Sequence, residues 1–189
     1  MNTALLASYE KDAPLLRLGK LLKENSWTLL GSAGTAKYLY ENGVGCRDVA
    51  EIVGPPILGH RVVTLSRELH AALLATSKDL GELKDLDIEP IDLVYVTLYP
   101  LEKTAAVSNA KPDDVLEKTD IGGPTLLRAA AKGRKIVLSS PKQLDEFEVR
   151  LKSGTLGDEN YRMALAAAAE RRVADYVDAS ARYLESKTS

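Results

Sequence analysis

The sequence is poor in the residues that support metal, redox and thiol chemistry. It holds one cysteine, Cys46, and two histidines, His60 and His70, in 189 residues. A single cysteine excludes an intrachain disulfide and any cysteine-built metal cluster, and two histidines are too few for a histidine-rich site. No metal and no cofactor are therefore expected. The formal net charge is only −2, which gives no bulk drive toward nucleic acid or an anionic membrane. No apolar run approaches the ~20 residues of a membrane span. The opening "MNTALLASYEKDA" lacks a basic segment followed by a long apolar stretch, so no signal peptide is expected. A cytoplasmic location is the default. The length and the 45% apolar content suit one domain, or one domain with a helical appendage.

What is present alternates between two periods. "TALLAS" (3–8), "WTLLGS" (27–32), "IDLVYVTLYP" (91–100) and "RKIVLSS" (134–140) are short apolar runs that predict buried strands, and "CRDVAEIV" (46–53) predicts a shorter one. Between them, Leu15, Leu18 and Leu22 recur at helical spacing behind Pro14. "GTAKYLYENG", "RELHAALLAT", "KPDDVLEKT", "TLLRAAAK" and "PKQLDEFEVRLKSG" also predict helices, whereas 54–64 has loop chemistry. Continuous apolar strands alternating with helices imply an α/β fold, a Rossmann-like parallel sheet with helices on both faces. Residues 1–155 are expected to form this domain and 156–189 a helical extension. In the extension Met163, Ala166, Val173, Tyr176 and Tyr183 recur with roughly helical period, a face that must pack on the body or on a second subunit.

In such sheets the ligand sits beyond the carboxyl ends of the strands. That directs attention to Ser8-Tyr9-Glu10-Lys11, Gly31 to Thr35, Leu98-Tyr99-Pro100 and the loop holding Asp120. "GSAGT" (31–35) places Ser32, Gly34 and Thr35 between a strand and a helix, where small residues and unpaired N–H groups suit a phosphate. It lacks both the P-loop ending and the dinucleotide glycine spacing. Lys11 and Arg61 either add positive charge there or are solvated surface cations. Tyr99 is either a packed edge residue or a phenol held at a strand exit. In "TDIGGPTLLRAAAKG" (119–133), Asp120 and the pair Gly122-Gly123 precede a helix that ends at Lys132 and Gly133. Asp120 suits a cap and Lys132 suits the helix dipole, and the same stretch also suits a site for a developing anion.

"ALLASYEK" (4–11), "SAGTAK" (32–37), "RVVTL" (61–65), "LYP" (98–100) and "DIGGPTLLRAAAK" (120–132) occur in the order found in one family. Taken together, the chain resembles the IMP cyclohydrolase domain of the bifunctional AICAR formyltransferase/IMP cyclohydrolase enzymes, essentially from end to end. The formyltransferase domain is not expected to accompany it. The resemblance implies a methylglyoxal-synthase-like fold and a homodimer. It implies ring closure of a formamido-imidazole-carboxamide ribotide (FAICAR) to IMP with loss of water. A separate formyltransferase or formylating ligase would supply the substrate. Tyr99, Asp120 and Lys132 match the family's catalytic positions, with the N–H groups of Ile121 and Gly122 steadying the oxyanion. Lys11, Ser32, Gly34, Thr35, Arg61, Thr64 and Gly123 match the nucleotide and phosphate pocket.

Two stretches depart from the family. Its R-V-K-T-L-H-P is Arg61-Val62-Val63-Thr64-Leu65-Ser66-Arg67 here, and its S-x-S-D-K is Ala7-Ser8-Tyr9-Glu10-Lys11. A valine neither donates a hydrogen bond nor carries charge. Two further readings therefore stand beside the first: ring closure on an analogue nucleotide in a specialised nucleoside pathway, and a catalytically impaired purine-nucleotide-binding module.

Overall fold

The computed structural model describes residues 2–59, 61–101, 104 and 111–188; His60 lies outside them. Strands β1 (Thr3–Ser8), β2 (Thr28–Gly31), β3 (Arg47–Asp48), β4 (Leu93–Thr97) and β5 (Ile136–Leu138) form one sheet in the order β3-β2-β1-β4-β5. Every pairing is parallel, with Ala4 opposite Leu93, Ser8 opposite Thr97 and Leu93 opposite Ile136. Leu5, Leu6, Leu93, Val94, Val137 and Leu138 are fully buried, because helices cover both faces of the sheet. The α/β expectation holds.

The first two crossovers run through α1 (Ala13–Glu24) and α2 (Ala33–Glu41). After β3 the chain passes through α3 (Ala50–Val53), α4 (Arg67–Leu74) and α5 (Leu80–Asp85) and returns to the other side of β1. It then continues through β4, α6 (Pro112–Glu117) and α7 (Gly122–Lys132) into β5. The strand order thus reverses between β1 and β4, and the crevice at their carboxyl ends is where such folds admit a ligand.

Local signals account for most boundaries. The Asp12 carboxylate accepts the Leu15 N–H at 3.0 Å to start α1, which buries the predicted Leu15, Leu18 and Leu22. Ser66 caps α4 through the Leu69 N–H at 3.1 Å, so Ser66-Arg67 opens a helix. After β5, Ser140 and Gln143 form a reciprocal capping box on the short 3-10 turn Pro141–Gln143, which leads into α8 (Leu144–Ser153). Gly154, at φ 70°, then ends α8 in the left-handed conformation.

The tail forms α9 (Glu159–Glu185), 27 residues and about 40 Å long. It buries Tyr161, Leu165, Ala169, Val173, Tyr176 and Tyr183 in the same hydrophobic core as the sheet, against α7 and β5. Each large side chain so buried contributes about 1.5–3 kcal/mol before chain entropy is counted.

Three sequence expectations are corrected. "CRDVAEIV" yields a two-residue strand and then helix α3, since only Arg47 and Asp48 pair with β2. Residues 80–85 form a short helix without a predicted counterpart. Met163 is 62% exposed, because Tyr161 and Leu165 take the buried stripe on that turn of α9.

Candidate functional site

At the switch point the exits of β1 and β4 are joined by hydroxyls. The Ser8 and Thr97 hydroxyls are 2.7 Å apart, and the Tyr9 N–H donates to Thr97 Oγ1 at 2.9 Å. Above this seam lies a cleft of about 770 Å³, room for a nucleotide-sized ligand. Ser32, Arg61, Thr64, Tyr99, Asp120, Ile121, Gly122 and Gly123 line it, eight residues brought together from four separate stretches of sequence.

The start of α7 takes its shape from close approach rather than from unusual torsions. A Cβ on Gly122 would stand 2.6 Å from Thr64 Oγ1, and one on Gly123 would stand 2.7 Å from Leu98 Cδ2 and collide with the Asp120 carboxylate. Neither glycine has positive φ. Both are inside α7, so the helix opens two residues earlier than a start at Pro124 implies. Asp120 Oδ1 accepts the Gly123 N–H at 2.9 Å. Burial pushes the Asp120 carboxyl above its ordinary value, and the Gly123 and Gly122 N–H groups oppose that shift. The Ile121 N–H makes no hydrogen bond among the described residues. The helix therefore presents a donor beside a partly buried carboxyl whose proton affinity is raised, a pairing suited to stabilising an oxyanion and moving a proton.

Tyr99 also lines the cleft, beyond the end of β4. Its hydroxyl accepts from Thr104 Oγ1 at 3.0 Å, and its ring meets that of Tyr9 edge-on with centroids 4.7 Å apart. Val63 also faces the cleft while packing against the core, so the position where the family carries lysine offers apolar surface. Arg61 is paired with Glu117 on α6, its Nε donating to Oε2 at 3.0 Å, and both residues line the cleft.

Beyond the cleft wall, Lys11 extends over the start of α2, where a Cβ on Gly34 would lie 3.4 Å from Lys11 Cε. The Lys11 ammonium donates to the carbonyl oxygens of Ser8 and, at 3.2 Å, Tyr9. Burial lowers its affinity for the proton, and nearby Asp12 opposes this. Ser32 precedes α2 without capping it, since its hydroxyl donates instead to Thr35 Oγ1 at 3.1 Å. A cation beside an uncapped helix start is suited to a phosphate.

Four predicted site residues do not line the cleft: Lys11 and Gly34 at the start of α2, and Thr35 and Lys132. Thr35 is fully buried and its hydroxyl accepts the Ser8 N–H at 3.1 Å, so it fastens α2 to β1 and does not open on the cleft. Lys132 ends α7, ten residues and about 15 Å along the helix from Gly122. It does not line the cleft.

Three contributors were given no site role by the sequence: Tyr9, named there only as a strand-exit position, Thr97 in the seam, and Tyr176, whose hydroxyl accepts the Asp120 N–H at 2.8 Å. Tyr9 and Thr97 were legible as strand-exit positions. Nothing local marks Tyr176, which is 56 residues from its partner. Cys46 is a half-buried thiol pushed up to about 12 by burial, and His70 in α4 donates from Nδ1 to the Ser66 carbonyl oxygen at 2.8 Å; neither lines the cleft.

Sheet order and cleft together define a doubly wound α/β domain with its pocket at the switch point. The model of the MGS-like domain family matches residues 14–125, more than half of the sequence, and the chain belongs to that family. The bifunctional purine biosynthesis protein PurH of Petrotoga mobilis is 37% identical over 99% of this chain, and that of Synechococcus sp. is 39% identical over 98%. The chain spans only 38% and 36% of those relatives. The crystal structure of ForH matches with a TM-score of 0.83 and 30% identity, over 98% of this chain and 97% of that one.

Proposed function

We propose that the chain is an IMP cyclohydrolase in purine biosynthesis, closing the six-membered ring of FAICAR with loss of water. The observation that supports this most directly is the convergence of Asp120, Tyr99, Thr64 and the start of α7 on one cleft. The similarity to the PurH proteins over nearly all of this chain supports the same substrate class.

In the first step the carboxamide nitrogen attacks the formyl carbon, and the formyl oxygen gains negative charge. The Ile121 N–H, with Gly122 beside it, stabilises that oxygen, a contribution typically of ~3 kcal/mol for one such donor. Asp120 accepts the proton lost by the carboxamide nitrogen and returns it to the oxyanion, giving a hydroxyl. It then takes the proton of the formamido nitrogen and passes it to that hydroxyl, so that water leaves as the C=N bond forms at the formamido nitrogen. A buried carboxyl with raised proton affinity suits these transfers. Tyr99 orients the base. Lys11, Ser32 and the start of α2 hold the ribose phosphate, and Arg61 exchanges Glu117 for the ligand's negative charge.

The direct test is purified protein with FAICAR, followed by the absorbance change of IMP formation. Turnover in the parent chain and its loss in Asp120→Asn support the reading. No turnover at high enzyme concentration, combined with tight binding of a purine nucleotide, replaces it with a binding module. Val63 and Tyr9 in the cleft favour one second reading, ring closure on an analogue nucleotide whose base is held more by packing than by charge. Faster turnover of such an analogue than of FAICAR decides for it.

A further inference from the structure

We infer that Tyr176, on the C-terminal helix, is a positioning residue for the oxyanion segment, so that α9 is part of the ring-closing machinery. The inference rests on the cyclohydrolase reading for its catalytic consequence, and on geometry alone for the positioning itself.

The contact is long-range and specific. Tyr176 is 1% exposed, and its hydroxyl lies 2.8 Å from the Asp120 nitrogen, accepting that N–H. The Asp120 carboxylate is held by the Gly123 N–H on the other side. The residue is thus gripped twice, through its backbone by α9 and through its side chain by α7. Together the two bonds fix the peptide that leads into Ile121, whose N–H is the donor left for a ligand. The helices are locked together in the same region, where Arg128 of α7 pairs with Glu170 of α9 at 3.1 Å. The Arg172 guanidinium lies over the Tyr176 ring, 5.9 Å from its centroid. Residues 119–121 also form the partition between the catalytic cleft and a second cavity of about 470 Å³ between α7 and α9. Among the described residues, no other group accepts the Asp120 N–H.

A tyrosine retained only to fill the core needs its ring and not its hydroxyl. The same helix supplies the comparison: Tyr183 is also buried, and its hydroxyl has no partner among the described residues. Removing the Tyr176 hydroxyl leaves a buried N–H unsatisfied and the peptide before Ile121 free to rotate, whereas removing that of Tyr183 disturbs no bond.

The test compares Tyr176→Phe with Tyr183→Phe in the full chain. Tyr176→Phe is expected to shift the Asp120 amide resonance and speed its exchange with solvent. It is also expected to lower kcat for FAICAR about tenfold with KM within about threefold. Tyr183→Phe is expected to match the parent in all of these. Equal kcat in the two variants overturns the catalytic role, and an Asp120 amide unmoved in Tyr176→Phe overturns the positioning. If the parent chain does not turn over FAICAR, the proposed activity fails, and the amide measurement still decides the positioning.

Discussion

One methyl group on Gly123 tests whether the start of α7 is built as described. Three contributions set the magnitude. Alanine for glycine near a helix start gains at most about 1 kcal/mol of propensity. The new Cβ, however, stands 2.7 Å from Leu98 Cδ2 and inside the contact distance of the Asp120 carboxylate. Overpacking of that kind costs about 1–3 kcal/mol. Expelling the carboxylate from the Gly123 N–H removes a cap worth about 1 kcal/mol. The net is a loss of about 1–4 kcal/mol, a fall in Tm of roughly 2–16 °C for a chain of this size. Activity should fall further than stability, because the displaced group is the one assigned to proton transfer. Gly122→Ala gives the contrast. Its Cβ meets only the Thr64 hydroxyl, at 2.6 Å, which can rotate away. It should cost little Tm while crowding the donor N–H groups and lowering kcat. Thermal denaturation and steady-state kinetics on both variants decide. A Gly123→Ala protein as stable and as active as the parent refutes the packing account of the paired glycines.

Asp120→Asn should separate stability from activity. Burial raises the folded-state proton affinity of Asp120 above that of the unfolded chain. Its contribution is therefore fully present below the unfolded value and is lost as pH rises through the folded one. The introduced amide keeps an acceptor for the Gly123 N–H without the buried charge. The variant should melt above the parent at about pH 8, converge with it at about pH 4, and be inactive. Lys11→Met should weaken nucleotide binding by roughly 10–100-fold in calorimetry, the loss of one charge-assisted phosphate contact. Glu117→Gln should leave Tm nearly unchanged, since the Arg61 pair is exposed, while altering KM for a phosphorylated ligand and its salt dependence.

Fold class was legible because the strands are apolar on both faces. The run through Leu93, Val94, Tyr95 and Val96 has no polar partner to alternate with, which only a sheet covered twice can accommodate. The cleft was legible to the extent that it is made of strand exits, since parallel topology brings those together whatever their spacing. Two kinds of information were not local. Lys132 was assigned by motif, and although the helix ending at it was legible, that the cleft leaves it out is seen only once the walls of the cleft are assembled. Tyr176 reads as one more apolar position in a helical period, and its hydroxyl acquires meaning only when α9 is laid along α7. The paired glycines were conspicuous, but the reason for them is carried by Thr64 and Leu98, neither adjacent in sequence.

The two departures from the family pattern shift the cleft in a single physical direction. A lysine at position 63 would bring a mobile positive charge to the base, and a serine at position 9 would add a hydroxyl at the turn after β1. Val63 instead packs on the core, and the Tyr9 ring stands edge-on against Tyr99. Charge stabilisation during ring closure then falls to fewer groups: the N–H donors at the start of α7, and Arg61 if it releases Glu117. With that redundancy removed, the placement of Ile121 N–H has to be more exact than in a cleft that also holds an ammonium. Val63→Lys should therefore do two things. It should raise kcat on FAICAR, and it should make the enzyme less sensitive to Tyr176→Phe, since the lysine covers part of the same developing charge. Additive effects of the two substitutions, measured as a double-mutant cycle in kcat, would show that the lysine and the helix start act on different steps.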